Sequence, residues 1–314
     1  MKLCVAGAGA FGVKHLEALQ AIDDVQVVSL VGGGNARRTQ EIAERFGVTH
    51  VTHDLAESLA LPQVEAVILC TPTHLHAAQA IACLRAGKHV QVEIPMADTL
   101  VDAQRLVDAQ RETGLVAMAG HTRRYNPSHQ WIHQRIEAGQ LALQQLNVQT
   151  YFFRRSNLNA LGQPRSWTDH LLWHHACHTV DLFQYQTGEI ASQIAAMQGP
   201  LHPELGIAMD MAIQLKTPSG ALCALSLSFN NEGPHGTTFR YICDKGTYTA
   251  YYDDLLDGHG QAVDLAGVDV SRNGLELQDR EFIAAIRGSR ESRSSVGSVL
   301  AAYETLARLE QALA

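Results

Sequence analysis

Gly7-Ala8-Gly9-Ala10-Phe11-Gly12 follows directly on the short apolar run of residues 2–6 and opens an amphipathic segment that reaches residue 22. A G-x-G-x-x-G sequence in that strand-turn-helix setting constrains the fold more than any other feature of the chain. The glycines permit a tight turn, close approach of a pyrophosphate to the backbone and tight helix packing, while the helix N-terminus offers oriented N–H groups to phosphates. A dinucleotide site on Gly7, Gly9, Ala10, Phe11 and Gly12 is the expectation.

The second strand, residues 25–31, runs into Gly32-Gly33-Gly34-Asn35-Ala36-Arg37-Arg38. An NAD-selective site places an acidic residue at this strand end for the ribose 2′-hydroxyl. Here none stands there, and Arg37 and Arg38 follow, which turns the expectation toward NADP, with NAD as the alternative acceptor. Strand patterns at 48–51, 66–70, 89–93 and 115–119 then alternate with helical patterns at 54–59, 74–86 and 100–112. Such alternation predicts a parallel, doubly wound sheet with right-handed crossovers, an α/β Rossmann domain over residues 1–122. Ligands of these sheets lie beyond the carboxyl ends of the strands. Two ends carry chemistry, and they nominate Thr71, Pro72, Thr73 and His76 after the fourth strand, and Glu93 and Ile94 after the fifth.

From residue 146 the pattern becomes β, with strands at 146–154, 190–197, 211–216, 221–229, 239–243 and 247–252. Thr217-Pro218-Ser219-Gly220 and Asp244-Lys245-Gly246 read as tight turns. A C-terminal α+β domain over 123–314 is predicted, with an open, mostly antiparallel sheet, helices on one face, closing helices at 275–287 and 296–313, and a loop over 253–272. Cys223, Leu225, Leu227 and Phe229 alternate with Leu222, Ala224, Ser226 and Ser228. The second face is neither strongly apolar nor charged, which suits a homo-oligomer interface.

A chain of 314 residues with 46% apolar content supplies two ordinary cores. Its net charge of −8 argues against a nucleic-acid partner. No apolar run has the length of a membrane span, and residues 1–5 enter a strand without signal-peptide anatomy, so a cytoplasmic protein is expected. The six cysteines are scattered without a Cys-x-x-Cys pair and read as reduced thiols. Against the acidic background, Arg123, Arg124, Arg154, Arg155 and Arg165 suit a small anionic substrate.

Four of the sixteen histidines, His170, His174, His175 and His178, fall within nine residues. The spacing of Leu172, Ala176, Val180 and Phe183 predicts a helix over 171–186, which would put His170, His174 and His178 on one face with Asp181 ending the row. Partly buried structural histidines, a metal pair at His174 and His178, and general acid/base chemistry all fit that row. A metal is the least favoured: His175 occupies the place of a zinc protease's glutamate, and about 12 Å of straight helix would separate His170 from His178.

Together these segments resemble the Gfo/Idh/MocA family of glucose-fructose oxidoreductases and inositol dehydrogenases. The likeness is carried by Thr71 to His76, Gly87-Lys88-His89-Val90, Glu93-Ile94-Pro95, Gly120-His121-Thr122-Arg123-Arg124-Tyr125-Asn126-Pro127, and His174 to Asp181. The resemblance implies that His178 is the general base, because it matches the histidine of the family's Asp-x-x-x-His-x-x-Asp, whose later aspartate falls on Asp181. His174 replaces the first aspartate, as its partner, and Ile94 replaces the lysine of Glu-Lys-Pro. It also implies homodimers paired through the second sheet. Two exchanges in one triad imply a substrate unlike a plain polyol. Residues 151–155, 165–175, 199–206 and 277–283 further resemble a branch of the family acting on ring-fission semialdehydes in protocatechuate 4,5-cleavage. That branch implies a small dicarboxylate substrate met by Arg123, Arg124, Arg154 and Arg155, with Trp167, His175 and Asp181 beside it. A sugar or inositol dehydrogenase and a non-catalytic NADP-binding sensor are the alternatives.

Overall fold

Leu3, Cys4, Val5 and Ala6 are all fully buried, as a strand must be when it has neighbours on both edges and cover on both faces. This strand, β1 (Lys2–Ala6), pairs in parallel with β2 (Gln26–Val31) and β4 (Ala66–Leu69). With β3 (His50–Thr52), β5 (His89–Val92) and β6 (Ala117–Ala119) they form a six-stranded sheet in the order β3-β2-β1-β4-β5-β6. Helices α1 (Ala10–Gln20), α2 (Ala36–Phe46), α3 (Leu55–Leu59), α4 (His76–Arg85) and α5 (Leu100–Thr113) connect the strands. The strand order reverses between β1 and β4, the switch point where open α/β sheets receive ligands. Local chemistry sets the helix ends. Asn35 Oδ1 accepts the Arg38 N–H at the start of α2, Thr99 Oγ1 accepts the Asp102 N–H at the start of α5, and Gly47 and Gly114 end those helices in the left-handed region.

The computed structural model describes residues 1–158, 162, 165 and 168–313, and the chain divides into two compact units. The first comprises Met1–His121 and Leu275–Leu300; the second begins at Thr122, runs to Gly274 and resumes at Ala301. A single cut at 122/123 therefore does not describe the chain. The segment from 275 belongs with the Rossmann sheet because α8 (Gly274–Arg287) carries Asp279, whose Oδ1 accepts from Gln91 Nε2 of β5 at 2.7 Å, and because Ser294 Oγ donates to the Ala119 carbonyl of β6 at 2.7 Å.

The second unit is built on a seven-stranded sheet of β7 (Leu143–Tyr151), β8 (Gln193–Gln198), β9 (Asp210–Lys216), β10 (Leu222–Ser228), β11 (Gly236–Cys243), β12 (Gly246–Tyr251) and β13 (Asp254–Asp257), in the order β13-β12-β11-β7-β10-β9-β8. Every neighbouring pair is antiparallel except β7 and β10. β13 lies inside the stretch expected to be loop. Its four residues pair with β12 and bury Leu255, too short a pattern for sequence periodicity to register. Cys223, Leu225 and Leu227 are buried on one side of β10. On the other side Tyr151 donates to Ser226 Oγ at 3.1 Å and Ser228 Oγ to Asp210 Oδ1 at 2.7 Å, while Leu222 is exposed. Helices α6 (Pro127–Glu137), α7 (Cys177–Thr187) and the end of α9 (Val296–Leu313) belong to this unit. Among the described residues no helix is long and apolar enough to cross a membrane.

Candidate active site

In the first unit the glycine motif is enforced by its surroundings. A Cβ on Gly7, which has φ +116°, would collide with the Cys70 carbonyl, and one on Gly12 with the carbonyl of Gly7. A Cβ on Gly9 would meet nothing within 4 Å. Gly7 and Gly12 therefore fix the turn and its packing, and Gly9 leaves open space at the N-terminus of α1, whose first turn carries no acidic residue. Unsatisfied N–H groups and the positive end of the helix dipole suit a pyrophosphate there. Ala10 and Phe11 are exposed beside it. At the end of β2, Arg37 pairs with Glu41 at 2.9 Å on the surface, whereas no carboxylate among the described residues pairs with Arg38.

The two nominated strand ends of this unit are tied together. His76 is 1% exposed, its Nδ1 2.8 Å from the Pro95 carbonyl and its Nε2 2.8 Å from the Thr71 carbonyl. Burial pushes its pKa below the ordinary value, against the pull of the two carbonyls. His76 thus braces the loops that would meet a cofactor, and its ring is not itself displayed. Thr71 Oγ1 donates to Gln79 Oε1 at 2.6 Å and Thr73 Oγ1 to Asp98 Oδ2 at 3.3 Å, while Pro72 and Ile94 remain partly accessible.

Glu93 is held from within. Its Oε1 lies 3.2 Å from His15 Nε2 and 3.1 Å from Gln278 Nε2, and His15 Nδ1 reaches both Asp279 oxygens at 2.9 Å. Both ring nitrogens face carboxylates, so His15 is an imidazolium. Burial alone would lower its pKa, but Asp279 and Cys70 raise it well above 6.5. Burial alone would raise Glu93, but the bond and charge of His15 and the Gln278 bond hold it below 4.5. The His15 contribution to folding is complete below 6.5 and disappears as pH rises through the raised folded-state value, with a slope of about 1.4 kcal/mol per pH unit in that window. Thermal melts of the wild type are expected to fall as pH rises above neutrality, and His15→Gln is expected to flatten that fall while lowering stability at pH 6. Equal slopes in both proteins would contradict the imidazolium. Sequence reasoning missed His15, although a histidine on the apolar face of α1 beside Gly12, Leu16 and Leu19 was its signal.

In the second unit the histidine row differs from the expected straight helix. Residues Leu171–Ala176 form a π-helical turn, and only from Cys177 does α7 begin. The wider turn shifts the phase, so the four-residue spacing does not set one continuous face. His170 lies before it in extended conformation, its N–H donating to His174 Nδ1 at 3.2 Å with the two rings edge to face at 4.8 Å. His174 Nδ1 is therefore the acceptor of that bond. His178 stands in the first turn of α7, and across residues 177–184 it alone is not buried.

Asp181 does not end the histidine row. It takes the Arg124 guanidinium in a two-pronged ion pair, Nη2 to Oδ1 at 2.6 Å and Nε to Oδ2 at 2.9 Å, with side chains 7% and 1% exposed. The fork that a substrate carboxylate would need on Arg124 is therefore engaged inside the protein. Arg123 lies over Tyr252 at 4.9 Å and Phe239 at 5.5 Å, with Nη1 3.4 Å from Asn126 Oδ1. Burial pushes its pKa below the ordinary value, countered by Tyr252 and Asp253.

Arg154 and His175, by contrast, come together on Asp169, a residue the site expectation omitted. Arg154 grips it through Nη1 and Nη2, the latter at 2.9 Å, Arg165 Nη1 reaches Oδ1 at 2.9 Å, and His175 Nε2 lies 3.2 Å from Oδ2. Arg155 is exposed over Phe153 at 4.2 Å and donates to Asn230 Oδ1 at 3.0 Å. Trp167 lies outside the described residues. Among the described residues no group of three His, Cys, Asp or Glu side chains converges to hold a metal.

Known proteins share this two-domain fold. Residues 1–121 match the oxidoreductase family with an NAD-binding Rossmann fold, Gfo/Idh/MocA, and residues 127–269 match the C-terminal domain of bacterial oxidoreductases. The chain is 63% identical, over 99% of its length and 98% of the relative's, to 4-carboxy-2-hydroxymuconate-6-semialdehyde dehydrogenase of a Sphingobium species. The chain belongs to the Gfo/Idh/MocA oxidoreductase family. A UDP-N-acetylglucosamine 3-dehydrogenase from Acidithiobacillus ferrooxidans superposes with a TM-score of 0.84 at 23% identity, over 100% of this chain and 97% of its own. An oxidoreductase from Agrobacterium radiobacter, in complex with NAD+, L-tartaric acid and magnesium, gives 0.84 at 16% identity over 99% and 96%. Both likenesses concern the fold. As a Gfo/Idh/MocA member the chain is an enzyme with an NAD-binding Rossmann unit, which sets aside the alternative of a non-catalytic sensor.

Proposed function

We propose that this oxidoreductase oxidises 4-carboxy-2-hydroxymuconate-6-semialdehyde, in its cyclic hemiacetal form, to 2-pyrone-4,6-dicarboxylate, as a cytoplasmic step of protocatechuate 4,5-cleavage. The 63% identity over 99% of the chain to an enzyme of that name carries the reading. The chemistry asks for removal of a hydride from the carbon bearing the hydroxyl and a proton from its oxygen, leaving a lactone. When bound, the nicotinamide takes the hydride. His178, the half-buried side chain at the start of α7, takes the proton. His174, one turn before it and half-buried, is its partner in orienting the substrate. A hemiacetal hydroxyl is more acidic than a sugar's because the ring oxygen withdraws electrons, so a histidine serves with Ile94 in the lysine position.

Two substrate carboxylates call for charge-assisted donors. Arg155, exposed over Phe153, is the candidate, whereas Arg124 is closed on Asp181, Arg154 on Asp169, and Arg123 lies over Phe239 and Tyr252. We further propose NADP as the preferred acceptor, because no carboxylate among the described residues pairs with Arg38 and no acidic residue ends β2. Arg38→Ala is expected to raise KM for NADP about tenfold or more, the worth of a charge-assisted contact, with KM for NAD unchanged. Equal changes for both would reject Arg38 as the reader of the 2′-phosphate. The outer face of the second sheet, with Ser226, Ser228 and exposed Leu222, supports pairing of two copies as a homodimer.

Nicotinamide reduction measured with the freshly made ring-fission semialdehyde, beside a panel of inositols and sugars, tests the substrate. A preference for the semialdehyde of several orders in kcat/KM is expected. Robust turnover of polyols with none of the semialdehyde would overturn the reading.

A further inference from the structure

His15 stands in α1, the helix whose N-terminus opens onto the glycine turn, and its fully buried ring ties other elements of the first unit to that helix. Nδ1 meets both oxygens of Asp279 in α8 at 2.9 Å, and Gln91 of β5 steadies Asp279 through the 2.7 Å bond to Oδ1. Nε2 donates to Glu93 Oε1 at 3.2 Å, where Gln278 Nε2 also donates at 3.1 Å. The Cys70 thiol, just past β4, meets the same ring. A Cβ on Gly120 would collide with Glu93 Oε1, so the glycine leaves room for the carboxylate. Oε1 is thus filled, whereas no donor among the described residues meets Oε2, although Glu93 is only 8% exposed. A buried carboxylate oxygen is costly to leave without a donor. Burial would raise the Glu93 pKa, but the His15 bond and charge and the Gln278 bond hold it below 4.5, so Oε2 only accepts.

The sheet order indicates which donor arrives. β5 lies two strands from β1, about 10 Å at the usual strand spacing, and β2 lies on the opposite side of β1. A dinucleotide with its pyrophosphate at Gly9 and its adenosine ribose at the end of β2 extends its other half across β4 toward Glu93. That half carries O–H and N–H donors, the ribose hydroxyls and the carboxamide. We propose that His15, anchored by Asp279, is a positioning residue for the nicotinamide half of the cofactor: it holds Glu93 so that Oε2 accepts from the nicotinamide riboside. Glu93 touches the cofactor, and His15 acts through it. This deepens the proposed function, resting on it for the cofactor and not for the substrate.

Calorimetric titration with NADPH and with adenosine 2′,5′-bisphosphate, which lacks the nicotinamide riboside, tests the proposal; NADH and adenosine diphosphate give the same comparison for NAD. The wild type is expected to bind the whole cofactor at least about tenfold more tightly than the fragment. Glu93→Gln should lose about tenfold for the whole cofactor and nothing for the fragment. His15→Gln and, separately, His15→Leu, each with a folded circular dichroism spectrum, should lose in the same way. A His15→Gln, Glu93→Gln double variant should lose no more than Glu93→Gln alone, because His15 acts through Glu93. A merely structural His15 would weaken cofactor and fragment equally, or add its loss to that of Glu93→Gln, and either result overturns the proposal. So does undiminished binding of the whole cofactor by Glu93→Gln or by both His15 variants. No substrate enters the titration. A wild type that shows these shifts yet leaves the semialdehyde unoxidised keeps the positioning role and loses the proposed substrate.

Discussion

His178→Ala is expected to lower kcat by about 10²–10⁴-fold, the usual contribution of a positioned general base, while leaving cofactor affinity and melting temperature near their wild-type values. The fold supports so selective an effect. α7 buries Cys177, Thr179, Val180, Asp181, Leu182, Phe183 and Gln184, and leaves His178 only half-buried, so truncation removes chemistry and little core. His174→Ala should cost less in turnover and more in KM, because a ring whose Nδ1 is held by the His170 N–H serves to orient the substrate. Steady-state rates followed by reduced-nicotinamide absorbance separate the two. A His178→Ala enzyme within about threefold of wild type would remove it from proton transfer.

Arg124→Ala is expected to destabilise the second unit by about 3–5 kcal/mol, since it removes the two-pronged ion-pair partner of Asp181, whose side chain is 1% exposed. For a unit of this size that is a drop of about 6–20 °C in Tm. Asp181→Ala should do comparable harm by removing the ion-pair partner of Arg124, whose pKa is raised because Asp181 more than offsets its burial. The double replacement Arg124→Met, Asp181→Leu should be more stable than either single change, because neither charge then remains without its partner. Melts of the three proteins check this, and additive losses would show that the pair contributes only through packing.

The sequence carried the architecture because that information is local. Gly7, Gly9 and Gly12, the alternation of strands with helices, and the turns around Gly220 and Gly246 each report on neighbours within a few residues, and the two sheets follow from them. What escaped was long-range or phase-dependent. The Arg124–Asp181 pair spans 57 positions and the His15–Asp279 contact 264, so no spacing rule links them. The α-helical spacing of Leu172, Ala176, Val180 and Phe183 cannot sense the π-helical turn at Leu171–Ala176, which alters the residues per turn without altering which residues are apolar. Asp169 was hidden for a related reason. A lone acid among histidines looks like part of their row, and only the folded chain brings Arg154 and Arg165 to it.

Product analysis of a single stoichiometric reaction tests the central claim most directly: purified enzyme, limiting NADP and excess ring-fission semialdehyde, with the organic product identified by mass and NMR. One equivalent of 2-pyrone-4,6-dicarboxylate is expected for each nicotinamide reduced. Absence of reduction with both NADP and NAD, or reduction without the pyrone, would contradict it.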